Sequence, residues 1–120
     1  MIRPLRIFAL LFFVSGLLGT ANAADHAKMD AFAKCVSSKG AKMYGTFWCP
    51  HCAEQKELFG NSFQYINYVE CGIPGSRQIT QECKQLGLRR TPTWIFSDGQ
   101  RHEGKMELQE LSKQTGCQLP

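Results

Sequence analysis

The chain predicts an α/β domain built on a four-stranded mixed sheet flanked by helices on both faces. Three observations carry that expectation. Short runs rich in β-branched and aromatic residues alternate with segments whose apolar residues recur at helical spacing, in the order α-β-α-β-α-β-β-α. The last two short runs are separated only by Ser97-Asp98-Gly99, a turn that returns the chain antiparallel to itself. A Cys-Pro-His-Cys run, residues 49–52, stands where the first strand hands over to the second helix.

The elements follow in order. "DHAKMDAFAKCVSSKG" places Met29, Phe32, Ala33 and Val36 at helical spacing, carries Cys35 near its end and stops at Gly40. "AKMYGTFW" reads as a strand running into the cysteine motif. "CPHCAEQKELFG" reads as a helix, with Pro50 in the first turn, where its missing N–H costs nothing, and Gly60 as the stop. "INYVEC" is a second strand and "GIPGS" a loop. "RQITQECKQLG" is a short helix with Ile79, Cys83 and Leu86 on one face. "TPTWIF" and "QRHEG" form the closing hairpin, and "KMELQELSKQTG" the last helix, offering Met106, Leu108 and Leu111 to the core. No repeat or long linker divides the chain, whose 120 residues suffice for one small domain.

The first residues belong to a different class of segment. "MIRPLR" is a short basic stretch, "IFALLFFVSGLL" an apolar run shorter than the roughly 20 residues of a membrane span, and Ala21-Asn22-Ala23 a small-x-small cleavage pattern. Residues 1–23 are expected to be a signal peptide and residues 24–120 the mature domain, placed in the periplasm or in a secreted or lumenal space. An uncleaved amino-terminal anchor is the competing reading, and it too exports the domain. Removing Arg3 and Arg6 leaves only a small positive surplus from the formal +4, too little for the clustered basic face that nucleic-acid binding requires.

Six cysteines, Cys35, Cys49, Cys52, Cys71, Cys83 and Cys117, lie beyond residue 23. An even number in a small exported domain points to disulfides, because an oxidising compartment preserves them and a small core benefits from the cross-links. The pair at 49 and 52 has a further property. A helix amino terminus presents unpaired N–H groups and partial positive charge, which favour a thiolate at Cys49, the species that attacks disulfides. Cys52 lies about one turn further in, able to reach the same sulfur from a less exposed position. Cys49 is therefore expected to attack and Cys52 to resolve, and a Cys-x-x-Cys pair beside a βαβ pattern is the signature of a thioredoxin-like fold.

Pro50 and His51 set the poise of the pair. Proline stiffens the turn and histidine adds a polar, potentially cationic side chain, and both favour the reduced form. A dithiol stabilised in its reduced form has a strongly oxidising disulfide, about −120 mV for DsbA against about −270 mV for thioredoxin. Cys-Pro-His-Cys is the dipeptide context of DsbA-type oxidases. Downstream, Thr91-Pro92 stands just ahead of the third strand, where thioredoxin-like proteins keep a cis-proline loop whose preceding residue offers its backbone to an extended substrate. Trp48, beside Cys49, is expected at the rim of the site, Phe47 and Trp94 in the core, and His26 and His102 at the surface.

Over nearly all of the chain beyond residue 23, the runs "GAKMYGTFWCPHCAEQKELFG", "NYVEC", "QEC", "TPTWIF" and "ELQELSKQTG" resemble the thioredoxin-like domain associated with vitamin K epoxide reductase homologues of bacteria and plastids. That group occurs fused to the membrane enzyme or as separate exported domains, and because the sequence shows no four-helix membrane portion the separate type is expected. The resemblance further implies thiol-containing protein substrates, no cofactor, and a vitamin K epoxide reductase-like or other quinone-linked membrane oxidase that restores the Cys49/Cys52 disulfide. It pairs Cys71 with Cys83, a bridge contributing about 3 kcal/mol on a chain-entropy model. Cys35 and Cys117 are then either a second structural disulfide or two thiols available for relay to an external dithiol. One departure is notable. Ordinary thioredoxins carry a buried acid in the strand before the motif, whereas this strand offers Lys42, Met43 and Tyr44 and no carboxylate, and the acids on the elements that follow include Glu54 and Glu70.

Rival readings differ in class. Within redox chemistry, the pair could serve a reductase or isomerase. As a metal site, Cys49, Cys52, Cys71 and Cys83 could supply four zinc thiolates, but a second Cys-x-x-Cys is lacking, so no metal is expected. Haem attachment is excluded because Ala53, not histidine, follows Cys52. A disulfide-stapled binding module using Phe47, Trp48 and Trp94 is the remaining alternative.

Overall fold

A computed structural model describes residues 20–120. The elements are α1 (Thr20–Ser38), β1 (Lys42–Gly45), α2 (Pro50–Phe59), a 3₁₀ segment (Gly60–Tyr65), β2 (Tyr68–Glu70), α3 (Gln81–Gln85), β3 (Thr93–Ile95), β4 (Arg101–Glu103) and α4 (Leu108–Thr115). The strands lie in the order β2-β1-β3-β4. β1 runs parallel to β2 with Met43 opposite Tyr68, and antiparallel to β3 with Met43 opposite Trp94. β4 returns antiparallel on β3. The result is a thioredoxin-like α/β fold with a four-stranded mixed sheet. Of the expected signal peptide, residues 1–19 lie outside the described residues, and no helix among those described is long and apolar enough to cross a membrane.

Alternation along the strands sends side chains to two unequal cores. Met43 and Trp94 point to the larger, where α1 contributes Phe32, Ala33 and Val36, α2 contributes Cys52 and Phe59, and α4 contributes Leu111. Phe59 lies 6.0 Å from Phe32 and 6.5 Å from Trp94 between ring centroids, at the centre of this layer. Tyr44 faces the other side, where Cys71 and Cys83 are fully buried among Val69, Ile79, Leu86 and Ile95. That second layer is thin. Its helix among the described residues, α3, has five residues, too short to persist alone, and the Cys71–Cys83 disulfide holds it to the end of β2. A second disulfide, Cys35–Cys117, joins the last turns of α1 to the segment after α4.

Four local differences from the sequence reading have physical causes. α1 starts at Thr20 rather than near Asp25, because Thr20 to Ala27 is alanine-rich and favours helix. α3 starts at Gln81 rather than Arg77: Gly72 and Ile79 form a β-bridge that keeps the preceding residues extended, and the Thr80 hydroxyl caps the helix by accepting from the Cys83 N–H. Residues 61–65, which the sequence reading leaves unassigned, belong to the 3₁₀ segment, which Ser62 ties to Asp30 of α1 by a 2.6 Å hydrogen bond. Phe47, expected in the core, is 56% exposed, whereas Trp94 is fully buried. β1 ends at Gly45, so position 47 lies beyond the strand, and its ring stands edge-on to Trp48 above Gly72. His26 is exposed and His102 half-buried.

Gln55 is a feature of the core that its polar side chain conceals in the sequence. It is completely buried on α2, and its side-chain oxygen accepts from the Trp94 indole N–H at 3.1 Å and from the Met106 N–H at 2.7 Å. Its amide nitrogen donates to the Met106 carbonyl at 3.0 Å. One side chain thus ties the helix after the cysteine motif to β3 and to the approach to α4. Gln55→Leu keeps the volume but strands two donors and an acceptor inside the core. At about 1–3 kcal/mol for each unsatisfied group, stability should fall by at least about 3 kcal/mol. Urea unfolding of the variant checks this, and a loss under about 1 kcal/mol would contradict it.

Candidate active site

Cys49 is the N-cap of α2: it has extended backbone angles, and its sulfur accepts from the Cys52 N–H at 3.3 Å. Pro50 occupies the first helical position, where no N–H is needed. The sulfur therefore sits at the positive end of the helix dipole, among amides that the helix itself cannot satisfy. Cys49 is half-buried and Cys52 is 1% exposed, and both are free thiols.

The two thiols titrate in opposite directions. Burial pushes Cys49 up, but hydrogen bonds from the Cys52 thiol, the Thr91 side chain and the backbone N–H groups of Cys52 and His51 outweigh it, so the net direction is downward. The neutral Cys49 thiol also donates to the Thr91 carbonyl at 3.2 Å, a contact that is lost on ionisation. Cys52 is pushed up to about 12, first by burial and then by its hydrogen bond with Cys49 and the charge there, with the Thr46 backbone opposing. The arrangement is that of a dithiol with one poised thiolate and one buried, protonated partner.

The Thr91-Pro92 peptide is cis, and its loop lies against the motif through the contact between Thr91 and Cys49. Trp48 is half-buried and lines a groove beside the motif with Thr46, Ile79, Leu88, Arg90 and Thr91. The His51 side chain turns outward, its Nδ1 3.1 Å from Glu54 Oε2, so its backbone N–H rather than its ring is what meets the Cys49 sulfur. Glu54 also lies 3.9 Å from Lys105 Nζ and points away from the buried thiol. Cys71 and Cys83 are joined to each other and Cys35 to Cys117, which leaves neither a four-thiolate zinc set nor a second dithiol for relay. No cluster of three or more metal-ligating side chains occurs among the described residues.

Gly45 has a role that its sequence does not signal, since it lies within the run that reads as a strand. A Cβ at this position would lie 2.9 Å from Cys52 Sγ and 3.0 Å from the Tyr68 ring, so only glycine lets β1, the buried sulfur and the β2 tyrosine pack together. Tyr68 was likewise missed, because in sequence it is one aromatic residue in a strand. Its ring packs edge-on against Phe63 at 5.5 Å, and its hydroxyl donates to Glu70 Oε1 at 3.1 Å.

The chain is 45% identical over 93 residues to the thiol-disulfide oxidoreductase LTO1 of Arabidopsis thaliana. The match covers 74% of this chain and 24% of the plant protein, so the chain spans about a quarter of that relative's length. No protein-family model matches the chain.

Proposed function

We propose that this domain is a thiol-disulfide oxidoreductase that oxidises protein thiols through the Cys49/Cys52 disulfide. The observation that carries the reading is the sulfur of Cys49 capping a helix N-terminus, with a buried, protonated Cys52 one turn away. A substrate thiolate attacks the Cys49 sulfur, the Cys49–Cys52 bond breaks, and a second substrate thiol displaces Cys49 to leave the substrate disulfide and the reduced pair. Pro50 and the backbone N–H of His51 tune the pair, while Trp48, Thr91 and Pro92 offer the surface and main chain on which an extended substrate segment lies. The name of the plant relative supports the same chemistry.

Linkage supports the oxidising direction. Hydrogen bonds to its charged form hold Cys49 below the ordinary thiol range, so the reduced form gains a stabilisation that the disulfide lacks. Each unit of lowering is worth about 1.4 kcal/mol, or about 30 mV toward a more oxidising pair. The effect is complete above an ordinary thiol pKa and disappears as pH falls through the lowered value. In the cell, residues 1–23 direct export to a periplasmic or lumenal space by cleavage after Ala23. A vitamin K epoxide reductase-like or other quinone-linked membrane protein then takes the electrons. Equilibration with glutathione at neutral pH should place the Cys49/Cys52 couple toward about −120 mV; a value near about −270 mV would refute oxidation in favour of reduction.

A further inference from the structure

The buried thiol needs a route for its proton. Cys52 is 1% exposed, and Glu54, the nearest acid in sequence, is engaged with His51 and Lys105 at the surface. Glu70 lies on the neighbouring strand and is connected to the site through Tyr68. The Sγ of Cys52 and the hydroxyl oxygen of Tyr68 lie 2.9 and 3.1 Å from the point where residue 45 would carry a Cβ, so they share the space that Gly45 leaves open. The two atoms are therefore at most about 6 Å apart, a gap that one bridging water spans. The hydroxyl donates to Glu70 Oε1 at 3.1 Å, and the other carboxylate oxygen accepts from the Gly72 N–H at 2.8 Å, which fixes its orientation. Glu70 is exposed and so is in exchange with solvent.

Resting on the redox reading above, we infer that Tyr68 and Glu70 form a proton relay between the resolving thiol of Cys52 and solvent. When Cys52 resolves a mixed disulfide on Cys49, its proton passes to the Tyr68 oxygen as the Tyr68 proton passes to the Glu70 carboxylate. The Cys52 sulfur bonds to Cys49 Sγ, the bond from Cys49 to the bound thiol breaks, and that thiol leaves with the electron pair as a thiolate. In this step the Cys52 sulfur is oxidised from the thiol to the disulfide level and the leaving sulfur is reduced from the disulfide to the thiolate level, while the Cys49 sulfur stays at the disulfide level. In the oxidising direction the same path runs in reverse and reprotonates Cys52 as it departs.

The surroundings suit a phenol that relays a proton instead of storing charge. Burial, then the Glu70 charge and hydrogen bond, then the charges on Cys52 and Cys49, push the Tyr68 hydroxyl above the usual phenol range, so it stays protonated and accepts a proton only while giving one up. From α2, Lys56 Nζ lies 4.2 Å from the centroid of the Tyr68 ring, and from the 3₁₀ segment Phe63 packs on the ring's edge. Glu70, Cys49, Cys52 and Lys56 are the titratable groups that face it.

The test isolates the resolving step. The mixed disulfide of Cys49 with thionitrobenzoate is formed at acid pH from the aromatic disulfide and jumped to about pH 6 to 9, where release of the coloured thiolate reports attack by Cys52. Tyr68→Phe, which keeps the ring, is expected to slow release by about 10²-fold near neutrality, the scale of a positioned proton transfer, and Glu70→Gln by about tenfold. In both variants the rate should rise by about one log unit per pH unit, because hydroxide must replace the relay, while the wild type rises less steeply. The rate at which Cys49 forms the adduct should not change. Wild-type release in Tyr68→Phe, or slower release with an unchanged pH slope, overturns the relay alone. A wild-type protein that never forms the Cys49 adduct overturns the redox reading and the relay with it.

Discussion

Cys49→Ser is expected to reduce thiol-disulfide exchange to the uncatalysed background while leaving the fold intact. Two properties of position 49 separate these effects. The side chain is the N-cap of α2, accepting from the Cys52 N–H, and serine fills that role at least as well as cysteine. The thiolate is also the attacking species, and a hydroxyl with a far higher pKa cannot substitute for it. Peptide oxidation or insulin reduction should therefore vanish in a variant whose urea midpoint moves little. Cys52→Ser should behave differently: Cys49 still exchanges, but the product stalls as a mixed disulfide visible on a non-reducing gel. Full activity in Cys49→Ser would remove Cys49 from the chemistry altogether.

Loss of the Cys35–Cys117 bridge should have the largest effect on stability. The two residues are 82 apart in sequence, so the cross-link restricts almost the whole unfolded domain. On the chain-entropy model a loop of this size contributes about 4.5 kcal/mol. Domains of this kind have only about 5–15 kcal/mol in total, so Cys35→Ser/Cys117→Ser should unfold at much lower denaturant or be partly unfolded at the outset. Reversible unfolding under oxidising conditions measures the difference, and a cost below about 1 kcal/mol would refute the estimate. The bridge joins α1 to the segment after α4, and neither element carries Cys49 or Cys52, so the surviving folded fraction should keep the wild-type redox potential.

How much could be read from the residues alone depends on the range of each interaction. Phe32, Ala33 and Val36 announce the buried stripe of α1 because helical periodicity is local. The hairpin of β3 and β4 is legible because Asp98-Gly99 specifies its own turn. Element boundaries were less accessible. The start of α3 is set by a bridge between Gly72 and Ile79, and the 3₁₀ segment by a hydrogen bond from Ser62 to Asp30, both contacts between parts of the chain that local preference does not join. Phe47 looked like core on hydrophobicity, yet β1 ends before it reaches that residue.

The same distinction runs through the site. Cys49 at a helix N-terminus, with Pro50 after it and Cys52 one turn on, is a consequence of consecutive residues, so the character of the first thiol was already present in the chain. The surroundings of the second thiol were not. The burial of Cys52, the space left by Gly45, the Tyr68–Glu70 pair beside it and the Gln55 clamp behind it depend on α2, β1, β2 and β3 together. Only the stacking of β1 between β2 and β3 under α2 brings them together, because proton transfer and core hydrogen bonding act over a few ångströms of space, whatever the separation along the chain.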